Sequence, residues 1–123
     1  MNGRTLARAH GAFNLASGLW PLLHLPSFEA VMGPKEDDWL VKAMAGLLVG
    51  AGLTQLLTPD SEDGVTQSGR IGVGVAATLA AVDYVYVPRG RISPVYLVDS
   101  LFHVGWLAAW TAHARRAVAA RRS

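Results

Sequence analysis

Two stretches of the chain, residues 43–53 and 71–82, contain no charged side chain, and Thr78 is the only hydroxyl within them. A helix lying on the surface of a soluble bundle needs a polar face, with charges recurring every three or four positions. Helices that are apolar all round need either a large protein interior or hydrocarbon, and 123 residues supply only one domain's worth of material. The composition points the same way: 51% of the residues are hydrophobic and 16% charged, against about 25% charged in ordinary soluble domains. The competing reading, a soluble four-helix bundle, draws on a mean hydropathy of only +0.28.

Four apolar stretches run over about 6–25, 39–57, 71–87 and 95–112. Each is close to the roughly 17–25 residues needed to cross a hydrocarbon core of about 30 Å. The expected fold is therefore all-α: one integral membrane four-helix bundle occupying 1–123. The punctuation fits that division. Pro26 follows the first stretch, Gly33-Pro34 breaks the next loop, and Glu36, Asp37 and Asp38 precede the second helix, where acidic groups suit its N-terminal dipole. Thr58-Pro59 closes that helix and residues 60–67 read as a polar loop, while Ser93-Pro94 supplies a cap and a first-turn proline for the last span. Pro21 should kink the first helix. Arg4 and Arg8 precede an apolar run, but no small-residue cleavage site follows before His24, so the first span is expected to be retained.

Basic residues set the orientation. With both ends inside, Arg4, Arg8, Arg70, Arg115, Arg116, Arg121 and Arg122 are cytoplasmic and Lys35, Lys42, Arg89 and Arg91 lie outside. The N and C termini are expected to be cytoplasmic. The four C-terminal arginines then read as an anchor against anionic lipid headgroups, and no nucleic-acid partner is expected. Cysteine is absent, which excludes disulfides, thiolate chemistry and Cys-based zinc sites. No nucleotide-binding loop or nucleophile motif is present, and no cofactor is expected.

Small residues repeat at four-residue spacing. Gly46 and Gly50 form a GxxxG, and Gly72, Ala76 and Ala80 extend the pattern on the next helix. They are expected to let these two helices approach closely, with a homodimer through the same faces as the second reading. Two polar stripes follow alternating spacings of three and four. His10, Asn14, Ser17, Pro21 and His24 share one face of the first helix; Tyr96, Asp99, His103, Trp106, Trp110 and His113 share one face of the last. Such stripes should face the bundle interior.

In that topology His24, Lys42, Asp83, Asp99 and His103 all fall in the outer half of the membrane, with Glu29 in the loop beside them. An ionised side chain near the bilayer centre costs roughly 2.5–3.5 kcal/mol on insertion scales. Lys42 is therefore expected to pair with Asp83 or Asp99, and Glu29 to reach Lys42 or Arg91. Three readings of the cluster stand side by side. It fastens the bundle as an ion pair; or Asp99 and His103, four residues apart on one helix face, bind a polar group or relay protons; or His24, Asp99 and His103 hold a metal, for which no motif speaks. The first loop, with Phe28 and Val31 dipping into the interface, is either a short amphipathic cap or a rigid turn. Trp106 and Trp110 either pack the core or wall a ligand pocket.

Gly18-Leu19-Trp20-Pro21, Ser27-Phe28-Glu29, Gly33-Pro34-Lys35 and Asp38-Trp39-Leu40-Val41-Lys42 form a block, with Ala81-Val82-Asp83 and Ile92-Ser93-Pro94-Val95-Tyr96-Leu97-Val98-Asp99 further on. Together they resemble small, uncharacterised bacterial four-span membrane proteins, Met32 standing where that block has threonine. The architecture is also similar to DoxX-type four-helix membrane proteins. It bears a looser likeness to sterol-isomerase and sigma-2-receptor bundles, in which acidic residues, histidine and tryptophan line a lipid pocket; Asp99, His103 and Trp106 would be the counterparts. What the resemblance implies is the four-span fold in a bacterial plasma membrane. The polar cluster itself gives the leading expectation, a pocket open to the outer face in which His24, Glu29, Lys42, Asp83, Asp99, His103 and Trp106 bind a membrane lipid or other amphiphile. The alternatives are a non-catalytic accessory subunit of a larger membrane complex and an isomerase-like or proton-transferring enzyme.

Overall fold

The computed structural model describes residues 2–122, and among them every regular element is helical. The helices are α1 (Gly3–Leu23), α2 (Leu25–Met32), α3 (Asp38–Leu56), α4 (Glu62–Tyr86) and α5 (Tyr96–Arg122). Asn2 caps α1 by accepting the backbone N–H of Thr5 at 2.8 Å. The chain breaks at His24 (φ −153°, ψ 79°), whose Nδ1 accepts the N–H of Ser27 and so caps α2. The first loop is thus a helix of its own, ending at Gly33.

Only residues 60 and 61 of the expected 60–67 loop lie outside a helix; 62–67 are the first turns of α4. Ser61 accepts the N–H of Gly64 at 3.0 Å, Glu62 and Asp63 occupy the first turn, and α4 starts nine residues before the apolar stretch does. The same capping chemistry that starts the other helices acts here, but on a polar sequence that hydropathy alone reads as a turn. At the far end α5 likewise runs on through the arginines to Arg122.

α1 and α4 run one way, α3 and α5 the other, as two antiparallel pairs, α1 with α3 and α4 with α5, joined where α4 meets both α1 and α3 and where α1 meets α5. Both described ends and the turn at Thr58–Ser61 therefore lie at one end of the bundle, where Arg4 Nε donates to the Thr58 carbonyl at 3.1 Å and Arg121 contacts Glu62. α2 and the α4–α5 connection lie at the other end.

The small-residue contact differs from the expected one. Gly46 and Gly50 are exposed and have nothing within 4 Å of where a Cβ would stand. The close approach is between α1 and α3. A Cβ on Gly11 would sit 2.6 Å from the Gly52 carbonyl oxygen, and one on Gly52 would sit 2.5 Å from the Leu15 nitrogen. Backbones in contact here tolerate no side chain.

Burial is inverted relative to a soluble domain. The buried polar residues are His10, Asn14, Gln55, Thr58, Ser68, Asp83, Ser100 and His103, while the buried apolar ones are mostly alanines beside Leu6, Phe28 and Trp110. Leu47 is 79% exposed, Trp39 70%, Leu101 67% and Phe102 54%. Among the described residues one helix, α3, is long and apolar enough to cross a membrane, with a mean hydropathy of 1.4; α1, α4 and α5, expected as spans, do not reach that measure. Only 22% of that window is buried, so α3 is not the sheltered core helix of a soluble protein.

Candidate functional site

Two polar centres occupy the interior, and the stripes on α1 and α5 supply both. The first lies towards the end that carries the termini. His10 is fully buried on α1 and its Nδ1 accepts the indole N–H of Trp110 at 3.0 Å and the amide N–H of Gln55 at 3.3 Å. Gln55 also accepts from Asn14 Nδ2 at 2.7 Å and donates to the Ser68 carbonyl at 3.2 Å. One glutamine thereby ties α3 to both α1 and α4. Thr58 donates to the Gln55 carbonyl, which leaves the Ser68 hydroxyl to donate to Thr58. Trp106 stacks on His10 with ring centres 4.5 Å apart and planes 11° from parallel.

The second centre lies one to two turns nearer the start of α5. His103 is buried and its Nε2 stands 3.1 Å from Asp99 Oδ2, the i, i+4 contact that the spacing implies. Across the α4–α5 seam the carboxyl of buried Asp83 faces that of Asp99. The Phe13 ring meets the His103 edge at 5.9 Å and the Trp106 ring at 5.7 Å, bridging the two centres.

Asp99 also lines a cavity of about 270 Å³. Its other walls come from α1 (Phe13, Ser17, Trp20), from α2 (Phe28, Val31, Met32) and from α5 (Val95, Val98, Phe102). The cavity is apolar save for Ser17 and Asp99. α2 roofs it, held by Trp20 Nε1 donating to Ser27 Oγ at 2.9 Å and by the edge-on contact of Trp20 with Phe28.

The remaining expected residues lie elsewhere. Lys42 is exposed and makes no ion pair among the described residues, so it does not partner Asp83 or Asp99. The reason is topological: α3 packs on α1, whereas both aspartates sit at the α4–α5 seam. His24 is exposed and serves as a helix cap. Glu29 is half-buried on α2, and the cation it acts on is Lys35 rather than Lys42 or Arg91. Lys35 donates to the carbonyls of Met32 and Gly33 and lies over the Tyr96 ring at 4.9 Å, fastening the roof to α5. Burial lowers its pKa below the ordinary 10.5, and Glu29 opposes that shift. No group of three or more acidic or histidine side chains suited to a metal ion occurs among the described residues.

Sequence reasoning gave no role to Gln55 and Ser68, read Thr58 only as a helix end and read Lys35 only as an outer basic residue. The available signal was Gln55 itself, an uncharged polar residue in the last turn of an otherwise apolar helix. No protein-family model, curated protein or solved structure matches the chain. The likeness to small four-span bacterial proteins therefore rests on the motifs in the sequence.

Proposed function

We propose that the chain is an integral membrane protein in which α1, α3, α4 and α5 span the bilayer, both ends being cytoplasmic, and that it binds a small amphiphile beneath α2. The inverted burial supports the membrane part. In hydrocarbon, polar side chains gather in the bundle interior and apolar ones face outward. At about 1.5 Å per residue, α3 with 19 residues and α5 with 27 reach about 28 and 40 Å. The cysteine-free sequence makes the topology testable. Single cysteines at Arg122 and Gly90 should react with impermeant maleimide from opposite sides of sealed vesicles, and reaction from the same side would sink it.

The cavity carries the functional part. A ligand there meets apolar walls and one charged group, Asp99, which His103 orients and Asp83 backs. Its volume is below the roughly 300–1,000 Å³ of typical small-molecule pockets, so it suits a short chain or ring whose polar end reaches Asp99. Val31, Val98 and Phe102 are more than half exposed, so the cavity is open laterally. Entry from the lipid phase follows. Native mass spectrometry of the detergent-purified protein, wild type against Asp99→Asn, tests this. A bound small amphiphile lost in the variant supports it; a bare wild-type protein argues against it.

A second reading has one specific observation in its favour. The Gly46 and Gly50 face of α3 has no neighbour within 4 Å, although small residues at this spacing suit close helix contact. Under this reading the chain is an accessory subunit or a homodimer joined through α3. Size measurement of Gly50→Ile against wild type separates it from the first.

A further inference from the structure

Charge and apolar surface are separated along a groove between α4 and α5, at the end of the bundle where α4 starts and α5 finishes. The groove encloses about 570 Å³, within the roughly 300–1,000 Å³ of small-molecule sites. Thr66 and Arg70 of α4 and Arg121 of α5 line it towards that end. Val73 and Gly74 of α4 and Trp110 of α5 continue it towards the middle of the bundle. Among the described residues no acidic side chain lines it.

Packing gives the groove a floor and two walls. A Cβ on Gly69 would stand 3.1 Å from Cε3 and Cζ3 of Trp110, so glycine lets the indole close against α4 as a floor. His113 shuts the side facing α1. Its ring stands edge-on to Trp110 with centres 6.0 Å apart, and a Cβ on Gly3 would lie 2.6 Å from its Cε1. The neighbouring surface with Arg115 and Arg122 is lined by α5 alone and has no second wall. The basic groups of the groove are also free to act. Arg70 is exposed and makes no ion pair among the described residues. Arg121 contacts Glu62, but both side chains are exposed, and such pairs contribute little. The guanidinium can therefore turn to another anion at small cost.

We infer that this groove binds an anionic phospholipid of the cytoplasmic leaflet, with its phosphate on Arg70 and Arg121 and one acyl chain along Val73, Gly74 and Trp110. Guanidinium forks match phosphate oxygens, and the Thr66 hydroxyl is a further donor on the same wall. Basic pockets between spanning helices on the cytoplasmic side suit such headgroups. The order of the lining matches the ligand, charge at the membrane surface and apolar walls further in. The inference rests on the membrane placement of α4 and α5 proposed above, and not on the cavity beneath α2.

The experiment titrates the whole protein in detergent with phosphatidylglycerol or phosphatidylcholine and reads bound lipid by native mass spectrometry. Wild type should retain one phosphatidylglycerol in preference to phosphatidylcholine; equal retention of the two overturns the inference. Arg70→Gln should weaken retention about fivefold, the effect of one basic residue beside an anionic surface. Arg115→Gln removes the same charge from the one-walled face and should change retention little. A loss equal to that of Arg70→Gln would assign the binding to net charge and overturn the site. Val73→Trp narrows the apolar end and spares both arginines, so it too should weaken retention; an undiminished signal overturns the acyl-chain placement. Displacement of the lipid by an equal concentration of inorganic phosphate would assign the groove to a soluble anion instead. Asp99→Asn should leave phosphatidylglycerol bound, which separates this groove from the cavity beneath α2. A chain that stays in solution without detergent fails the membrane reading, whereas one that needs detergent and shows no lipid preference fails this inference alone.

Discussion

Trp110 on α5 donates its indole N–H to Nδ1 of His10 on α1, at 3.0 Å and across a hundred positions of chain. The bond joins the first helix to the last, and in the bilayer proposed above apolar burial would contribute little to helix association. Polar contacts and close packing would then hold the helices, and this contact combines both, since Trp110 also belongs to the apolar cluster with Leu6 and Ala7.

Trp110→Phe keeps a large ring and removes the donor. His10 Nδ1 retains the longer bond from Gln55, so the expected loss is about 1–2 kcal/mol, the range for one hydrogen bond together with an imperfect fit. Thermal unfolding in detergent measures it. Trp110→Phe as stable as wild type would mean that packing alone holds the contact.

A Cβ on Gly72 would lie 2.6 Å from Gln55 Nε2, 2.7 Å from His10 Nδ1 and 2.9 Å from Trp110 Nε1. Gly72→Ala therefore wedges apart three members of one network and should cost about 1–3 kcal/mol. Gly50→Ala meets nothing and should be neutral or gain up to about 1 kcal/mol from helix propensity. Equal melting shifts for the two variants would contradict this packing.

Lys35 gives a pH dependence with a definite sign. Burial lowers its folded-state pKa below the ordinary 10.5, so between the two values the unfolded chain binds more protons than the folded one. Wild-type stability should therefore rise relative to Lys35→Met as pH climbs towards 10.5, because the folded state sheds a charge that it holds poorly. Melting curves of both proteins from neutral to alkaline pH test this; a difference that stays constant or shrinks would show that Lys35 is not desolvated.

Periodicity made part of this legible. The stripes of α1 and α5 do turn inward at His10, Asn14, Pro21, His103 and Trp110, because spacings of three and four keep residues on one face whatever the partner. The Asp99–His103 contact is local and follows from the same rule. What spacing does not encode is which faces of different helices meet. Lys42 and Asp83 look complementary along the chain, but the pairing of α3 with α1 separates them. Gly46 and Gly50 look like a contact face, yet Gly52, two positions past Gly50 and so on nearly the opposite side of α3, makes the contact, since spacing marks a small-residue face without saying what packs on it. Gln55, Ser68 and Thr58 are single polar residues near helix ends, and nothing local distinguishes a solvated one from a buried one.

The amphiphile cavity makes the last prediction. Asp99 is its only charged wall, whereas Phe102 lines it from the exposed side of α5. Asp99→Asn keeps the size of the side chain and removes the charge; His103 retains an oxygen to face, so the fold should survive with a loss of about 1 kcal/mol or less. Phe102→Trp should fill part of the 270 Å³ and also leave the fold intact. A ligand bound as proposed stabilises the protein by mass action, about 2.7 kcal/mol at a hundredfold excess over its Kd. Both variants should lose that ligand-dependent rise in melting temperature, one for want of an anchor and the other for want of space. If Phe102→Trp loses it and Asp99→Asn keeps it, the cavity binds an apolar molecule and the aspartate serves only to hold His103.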